Sequence, residues 1–411
     1  MNEDRNGDLE ALRAEARDWY EQSWDPDRPT GEWFRLMHEA RWAYPTWPVL
    51  HGGRGLAVSS ARVVREERRR VGALGPPSGI GPTLLAPMLF EHGTDEQCQR
   101  FLWGLAVEGW LCCQMLSEPD AGSDLASSRV RAERDGDEWI ITGSKVWTSN
   151  AELCDYGMLL ARTDVNRPKH RGLTFFLLPI RQPGVTVQPL RQMTGDSRFN
   201  QVFFDGAKVG DADRLGDVEG GWPVTRTFLA HEKNSYNPGS HEGGPFGRVP
   251  LERPAGEVQT HESGRASNSA QGRGIGSVLR TMLSESGAAT DPVVRQRYVR
   301  LHTMRQTMNA TNNRLRGARR PGWEGPVSKL TVSELSRGQR DLGLSVQGAA
   351  GMLAGSDSPS EAFSYFALST PALSIAGGTD EIQRNALGEN VLGLPPEPKV
   401  DRDVPFKDLP G

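Results

Sequence analysis

Hydrophobic residues change their spacing twice along the chain, and each change predicts a different kind of secondary structure. Over residues 1–112 they recur at helical intervals, and Thr94, followed by two acidic residues, is typical of a helix start. From Trp222 onward the helical spacing returns, with helices predicted over Val327–Gln347 and Ser360–Leu368. Both ends of the chain are therefore predicted to be helical.

The region between them, residues 113–220, has the pattern of a β domain. Short runs of β-branched and aromatic residues alternate with turn sequences such as Asp135-Gly136-Asp137. We predict strands at Glu138–Thr142, Tyr156–Ala161, Leu173–Ile180, Val185–Gln188 and Gln201–Val209. Helices, then strands, then helices predict an α+β protein with domains at 1–112, 113–220 and 221–411.

One segment interrupts the third region. Residues 237–274 contain eight Gly and four Pro with few large hydrophobic side chains. Such a segment buries little apolar surface, so we predict a long flexible insert after the first helix of this region. It is either a substrate lid or an unstructured excursion that the fold tolerates.

Composition excludes several classes of function. The 411 residues are 36% hydrophobic and 24% charged, with a formal net charge of -4. This balance is typical of a soluble globular protein and provides no overall basic surface for nucleic acid or anionic membrane. The acidic start lacks a signal sequence, and no apolar run is long enough for a membrane span. We therefore expect a cytoplasmic protein.

The cysteines do not indicate a disulfide framework or a metal site. There are four, Cys98, Cys112, Cys113 and Cys154, and none has CxxC spacing. We expect neither disulfides nor bound zinc.

Two segments about 25 residues apart carry the most specific chemistry. Gln114–Leu125, QMLSEPDAGSDL, is a Gly/Pro/Asp-rich turn after a hydrophobic run, and it predicts exposed backbone N–H groups. Such a turn suits hydrogen bonding to a planar heterocycle or a phosphate. Gly143–Ala151, GSKVWTSNA, follows it. The first segment alone would also fit an ordinary Gly/Pro/Asp turn. The two segments together are a much more specific indication of such a binding site.

The pair of segments resembles the signature of the acyl-CoA dehydrogenase family. The resemblance extends to Trp42–Leu56, to Met193–Asp205 at the end of the β domain, and to Gly377–Asn385 near the C-terminus. It covers nearly the whole chain in the family's order. It is greatest to an actinobacterial-type branch with an IAGGT motif, here Ile375–Thr379.

The resemblance implies a fold and a cofactor. The expected fold has an N-terminal helical domain, a central β-barrel-like domain and a C-terminal four-helix bundle. FAD is expected between the β domain and the bundle, at a subunit interface. Gln114, Leu116 and Ser117 would then contact the isoalloxazine ring, and Trp147 and Ser149 its other side.

Further positions acquire roles only through this resemblance. Gly122 is assigned to the cofactor and Ser123 to the acyl-CoA. The remaining cofactor positions approach the ADP half, the adenosine or the pyrophosphate of FAD, and they are Gly348, Gly351, Thr379 and Glu381.

The expected reaction removes the α-proton of an acyl thioester and passes a β-hydride to the flavin, which requires a carboxylate base. In much of the family a Glu directly precedes the Gly-Thr of the C-terminal motif, but this chain has Gly377 there. A minority places the base on the first helix after the β domain, where this chain has Glu232. We therefore expect Glu232 to be the base, with Lys233 assigned to the substrate.

One departure affects the cofactor site. The family commonly has an Arg, which reaches a neighbouring subunit's FAD pyrophosphate, where this chain has Leu283–Ala289, including Glu285. A carboxylate repels a pyrophosphate. The nearest replacements for the missing Arg are Arg280 and Arg295, and the alternative is that FAD binds loosely or only in a complex.

The resemblance leaves three functions open. The first is dehydrogenation of an acyl-CoA in fatty acid oxidation, with electrons passed to an electron-transfer flavoprotein. The second is a subunit of a heteromeric dehydrogenase with an incomplete site. The third is an oxygen-using or desulfinating relative. A homodimer, homotetramer or heterotetramer is expected.

Overall fold

In the computed structural model, two compact units are described. The first comprises Met1–Arg191, Ser197–Ser263 and Lys399–Gly411, and the second comprises Gln192–Asp196 and Gly264–Pro398. The structure describes residues 3–235, 244–245, 247–259, 274–315, 323–352, 359–396, 398 and 401–409.

The first unit begins with helices that surround an aromatic core. They are α1 (Glu3–Ser23), α2 (Thr30–Glu39), α3 (Val58–Val71), a π-helical turn (Gly81–Leu85), α4 (Ala86–His92) and α5 (Asp95–Ala106). Thr94 caps α5 as the sequence predicts, in a capping box with Gln97. Trp33 is fully buried, and its Nε1 donates to Leu74 O at 2.9 Å, so even the indole nitrogen is satisfied.

The predicted β region forms one sheet. Its strands are β1 (Cys112–Met115), β2 (Arg131–Asp135), β3 (Glu138–Ser149), β4 (Tyr156–Arg162), β5 (Leu173–Pro179), β6 (Val185–Leu190), β7 (Phe199–Gly210) and β8 (Arg214–Leu215). Their order is β6-β7-β3-β2-β4-β5-β8, and β1 pairs in parallel with β4. The five predicted strands overlap β3 to β7. The short strands β1, β2 and β8 had no clear pattern in the sequence.

Strands β4 and β5 are buried on both faces, which explains why they are continuously hydrophobic. In β4, Met158 and Leu160 belong to the core shared with the helices, whereas Leu159 and Ala161 belong to a second core on the opposite face. A strand buried on one face would alternate hydrophobic and polar residues.

The helix α6 (Gly221–Ser235) and the segment after it belong to the first unit. Sequence analysis assigned both to the third domain. The helix packs here because Val224 and Phe228 join the core of the helices and the sheet.

The predicted flexible insert includes ordered backbone. We call residues 244–245 and 247–259 the strap. Thr30 N and Gly31 N donate to Arg253 O and Leu251 O, both at 2.9 Å, and Ser78 N donates to Pro245 O at 2.9 Å. The strap is therefore bound to the N-terminal helices. The rest of 237–274 lies outside the described residues, except Gly274.

The second unit is helical. Its helices are α7 (Ile275–Glu285), α8 (Pro292–Leu315), α9 (Glu324–Gln347), α10 (Pro359–Leu373) and α11 (Asp380–Asn390). Leu279, Leu342 and Phe363 are at the centre of its core. Among the described residues, no helix of either unit is long and apolar enough to cross a membrane.

Candidate functional site

The two motif segments meet at the ends of β1 and β3. Val146 N donates to Ser117 O at 2.9 Å, and Lys145 Nζ donates to Leu116 O at 2.8 Å. Leu116 is buried, while Gln114 and Ser117 are partly exposed. Segments far apart in sequence thus form one continuous edge of the β domain.

A β-bulge places Trp147 at this edge. Between Lys145 and Thr148 the register with β7 shifts, and Trp147 has a φ of 61°, in the left-handed region that residues other than Gly rarely adopt. The indole is 57% exposed and contacts Phe199 edge-on, with ring centroids 5.9 Å apart. A large apolar ring held exposed by strained backbone is typical of a binding surface.

The residues after Trp147 add polar groups. Ser149 is partly exposed at the end of β3. Thr148 is fully buried, and its Oγ1 has no hydrogen-bond partner among the described residues. A side chain without solvent exposure is not available to a ligand at the surface, so Ser149 is the hydroxyl that this segment presents there.

Beneath this edge lies a buried ion pair. Lys145 Nζ is 2.7 Å from Glu118 Oε1, and Glu118 also accepts from Arg129 N at 2.6 Å and Val130 N at 3.0 Å. Burial lowers the pKa of Lys145, and the Glu118 charge opposes that shift. The pair joins the Ser-Glu-Pro turn to β3 and to the start of β2, so it determines the position of both motif segments.

Gly122 and Ser123 lie in the exposed part of the same turn. Arg162 stabilises the turn from the protein interior. It is 2% exposed and donates to Ala126 O at 2.6 Å and Ser128 O at 3.1 Å. Burial lowers the pKa of Arg162 to about 10, so the guanidinium remains charged at neutral pH. Ser123 is thus presented to solvent on a firmly supported loop.

Glu232 lies on the inward face of α6. It follows Phe228 by four residues and Thr225 by seven, and both of these are fully buried. Residues at those intervals share one face of a helix. Glu232 itself is partly buried. The Glu232 carboxylate therefore continues a buried face of the helix at a position that keeps some contact with water.

An adjacent face of α6 contacts α4. His231 Nε2 is 3.2 Å from Glu91 Oε1, and Thr227 Oγ1 donates to Glu91 Oε2 at 3.1 Å. His231 therefore has a packing role. The side chain of Lys233 lies outside the described residues.

The second unit contains the glycines assigned to the ADP half. Gly348 ends α9 with a φ of 51°, and a Cβ on Gly351 would lie 3.0 Å from Gln347 Oε1. The Gln347 amide is buried, and neither its nitrogen nor its oxygen has a partner among the described residues. Sequence analysis missed Gln347, although it directly precedes the glycine motif. Its two amide atoms suit a heterocycle edge.

The C-terminal motif forms a helix start. Thr379 Oγ1 accepts from Ile382 N at 3.2 Å, which caps α11. Glu381 is 77% exposed in the first turn, 3.6 Å from Arg384. Gly377 and Gly378 have φ of 69° and 83°, so the chain turns here through conformations that favour glycine.

Most of the stretch that lacks the Arg is exposed, although Leu283 is buried. Glu285 ends α7, and the two candidate replacements, Arg280 on α7 and Arg295 on α8, are also exposed. The described residues thus offer both cations and one carboxylate to solvent.

The donor set fits the expected flavin. A flavin requires an apolar surface for its ring and hydrogen-bonding groups along its edge. Within the first unit, Trp147 provides the surface, and the partly exposed Ser117 and Ser149 provide hydroxyls.

All three parts of the chain match domains of one known protein family. Models of the acyl-CoA dehydrogenase N-terminal, middle and C-terminal domains match residues 8–108, 113–207 and 284–392. The architecture is thus that of an acyl-CoA dehydrogenase, which confirms the predicted fold class. IpdE1 of Mycolicibacterium smegmatis is 36% identical over 363 residues, covering 86% of this chain and 85% of that protein. The chain therefore belongs to the acyl-CoA dehydrogenase family and is an oxidoreductase that acts on acyl-CoA.

Other relatives agree with this assignment. IpdE1 of Mycobacterium tuberculosis is 37% identical over 360 residues, again 86% of this chain and 85% of that protein. Among solved structures, the ChsE4-ChsE5 complex from Mycobacterium tuberculosis has a TM-score of 0.66 at 25% identity, covering 94% of this chain and 98% of that chain. The Tcur3481-Tcur3483 steroid ACAD has a TM-score of 0.67 at 24% identity, covering 95% and 98%, and it shows the fold alone.

Proposed function

We propose that this acyl-CoA dehydrogenase is FAD-dependent and uses Glu232 as its base to form a 2,3-enoyl-CoA. FAD held by the residues of the candidate site would supply the acceptor for the hydride of the β-carbon and would pass electrons to an electron-transfer flavoprotein. Glu232 removes the α-proton. Gln114, Leu116, Ser117, Gly122, Trp147 and Ser149 would hold the ring end of the cofactor, and Gln347, Gly348, Gly351, Thr379 and Glu381 the adenosine end.

The position of Glu232 carries the proposal. It continues the buried Thr225–Phe228 face of α6, whereas the other position that a base takes in this family is Gly377, which has no side chain. Gly377 therefore cannot remove a proton, whereas the Glu232 carboxylate can.

Anaerobic mixing of flavin-loaded Glu232→Gln with acyl-CoAs tests the assignment. A base at the position of Glu232 leads us to propose a branched or bulky acyl chain as the substrate. The panel therefore contains branched and ring-bearing acyl chains, with straight chains for comparison. We expect the rate of flavin bleaching to fall by roughly 10²- to 10⁴-fold, the typical contribution of a general base.

Glu91→Gln is the matched control. Glu91 is a half-exposed carboxylate that contacts the same helix through His231. The rate of flavin bleaching in Glu91→Gln should stay within about twofold of the wild-type rate. Bleaching by Glu232→Gln at the wild-type rate would exclude Glu232 as the base.

A heteromeric assembly is the second candidate, and Glu285 favours it. This exposed carboxylate stands in the stretch where the family commonly has an Arg for the FAD pyrophosphate. A related subunit would provide the missing cation. One of the solved structures similar to this chain is a complex of ChsE4 with ChsE5. Under this proposal the chain expressed alone is colourless and acquires flavin when co-expressed with a related subunit. Stoichiometric flavin in the chain purified alone would contradict it.

A further inference from the structure

The C-terminal tail, residues 401–409, is bound to the β domain. Phe406 N donates to Arg167 O at 2.9 Å, and Lys407 N donates to Val165 O at 3.0 Å. Pro405 forms an isolated bridge with Pro168. The tail thus pairs with the loop between β4 and β5 through its backbone, which gives it a defined position there.

Lys169, on that loop, joins the tail to the turn that presents Ser123. Its Nζ lies 2.8 Å from Asp124 Oδ2 and 2.6 Å from Asp401 Oδ2, and its side chain is only 11% exposed. Asp124 directly follows Ser123 and is itself 56% exposed. One ammonium shared by two carboxylates fixes the turn relative to the tail.

Phe406 forms the second connection between the tail and the turn that presents Ser123. Its ring centroid lies 3.7 Å from Arg162 Cζ, so the ring covers one face of the guanidinium. Arg162 donates to Ala126 O and Ser128 O of the turn and to Lys169 O, at 2.6, 3.1 and 3.1 Å. Phe406 therefore shields from water the cation that holds both the turn and the lysine loop.

We infer that the tail positions residues 119–128 for acyl-CoA binding, with Asp401 and Phe406 as the positioning residues. Asp401 acts through Lys169 on Asp124, and Phe406 acts through Arg162 on Ala126 and Ser128. The inference rests on the proposed function only in naming acyl-CoA as the ligand of Ser123. Contacts made equally in the ground and transition states change KM and leave kcat unaltered.

The test compares Asp401→Asn and Phe406→Ala with the wild type, all as flavin-loaded full-length protein. We expect KM for acyl-CoA to rise about three- to tenfold, the size of one ordinary hydrogen bond, with kcat and flavin content unchanged. Hydrogen exchange should accelerate in amides of residues 119–128, including Ser127 N, which donates to Asp124 O. Asp401→Glu and Phe406→Tyr should restore both readouts.

Asp403→Asn is the matched control, because Asp403 is an exposed carboxylate two residues from Asp401, and it should match the wild type. Unchanged KM and exchange in both Asp401→Asn and Phe406→Ala would overturn the inference, as would a loss of kcat at constant KM. If no acyl-CoA bleaches the wild-type flavin, the proposed function fails. The exchange of residues 119–128 still decides separately whether the tail holds the turn.

Discussion

Lys145 and Glu118 form a buried ion pair, and burial determines how much the pair affects the free energy of unfolding. Lys145 is fully buried and Glu118 is 7% exposed, with 2.7 Å between Nζ and Oε1. The pair Lys208–Glu138 has nearly the same length, 2.8 Å, but its side chains are 58% and 48% exposed. Water screens the second pair and not the first, so only the first constrains the fold.

We therefore predict that Lys145→Met destabilises the protein by about 3 kcal/mol or more, because it leaves the Glu118 carboxylate buried without its counter-ion. The flavin content of this variant should also fall, because Lys145 joins the two motif segments. Chemical denaturation measures the free energy of unfolding, and the flavin spectrum measures the cofactor.

Lys208→Met makes the same change at the exposed pair and should cost less than about 0.5 kcal/mol. Equal destabilisation by the two variants would contradict the role assigned to burial.

At the scale of elements, the strap depends on a close approach of two backbones. A Cβ on Gly244 would lie 1.8 Å from Pro76 O, and one on Gly75 would lie 2.7 Å from Gly244 Cα. Real Cβ atoms essentially never come so close to backbone, so this contact requires glycine at both positions. The segment from Gly75 leads directly into the π-helical turn that precedes α4.

Gly244→Val should accordingly displace the strap from the N-terminal helices. We expect faster proteolysis within residues 247–259 and a loss of about 1–3 kcal/mol, the usual cost of overpacking. Limited proteolysis with mass spectrometry detects the first effect and thermal unfolding the second.

Gly210→Val is the control, because Gly210 has a φ of -66° and a Cβ added there would meet no atom within 4 Å. Its proteolysis pattern should be that of the wild type. If Gly244→Val also leaves the strap protected, the Gly75–Gly244 contact does not hold it.

At the scale of the whole molecule, the proposed cofactor residues are divided between the two units. Trp147 and Ser149 belong to the first, and Gln347 and Gly351 to the second. Hydrophobic side chains around α11 are also exposed, including Ile375 at 63%, Leu392 at 71% and Leu394 at 55%. Large apolar side chains with this much exposure are typical of a subunit interface.

We predict that flavin retention depends on oligomerisation. Leu392→Asp should shift the protein toward monomer and release flavin on dilution from the micromolar to the nanomolar range, by mass action. Size-exclusion chromatography with multi-angle light scattering gives the mass, and absorbance gives the bound flavin.

Val58→Asp, at a residue 59% exposed in the first unit, should change neither quantity. Retention of both oligomer and flavin by Leu392→Asp would place the interface elsewhere.

By itself the sequence determined the order of helices, sheet and helices, because a strand buried on both faces, such as β4, must be continuously hydrophobic. It also determined the family, through two motif segments that occur together in the family's order. Tertiary structure alone decided the rest. The burial of Lys145, the exposure of Trp147 at a bulge, the unpartnered Gln347 amide, and the docking of the strap and the tail all depend on residues distant in sequence. Local patterns of hydrophobicity contain no information about such contacts, since a carboxylate such as Asp401 looks the same in sequence as the exposed Asp403.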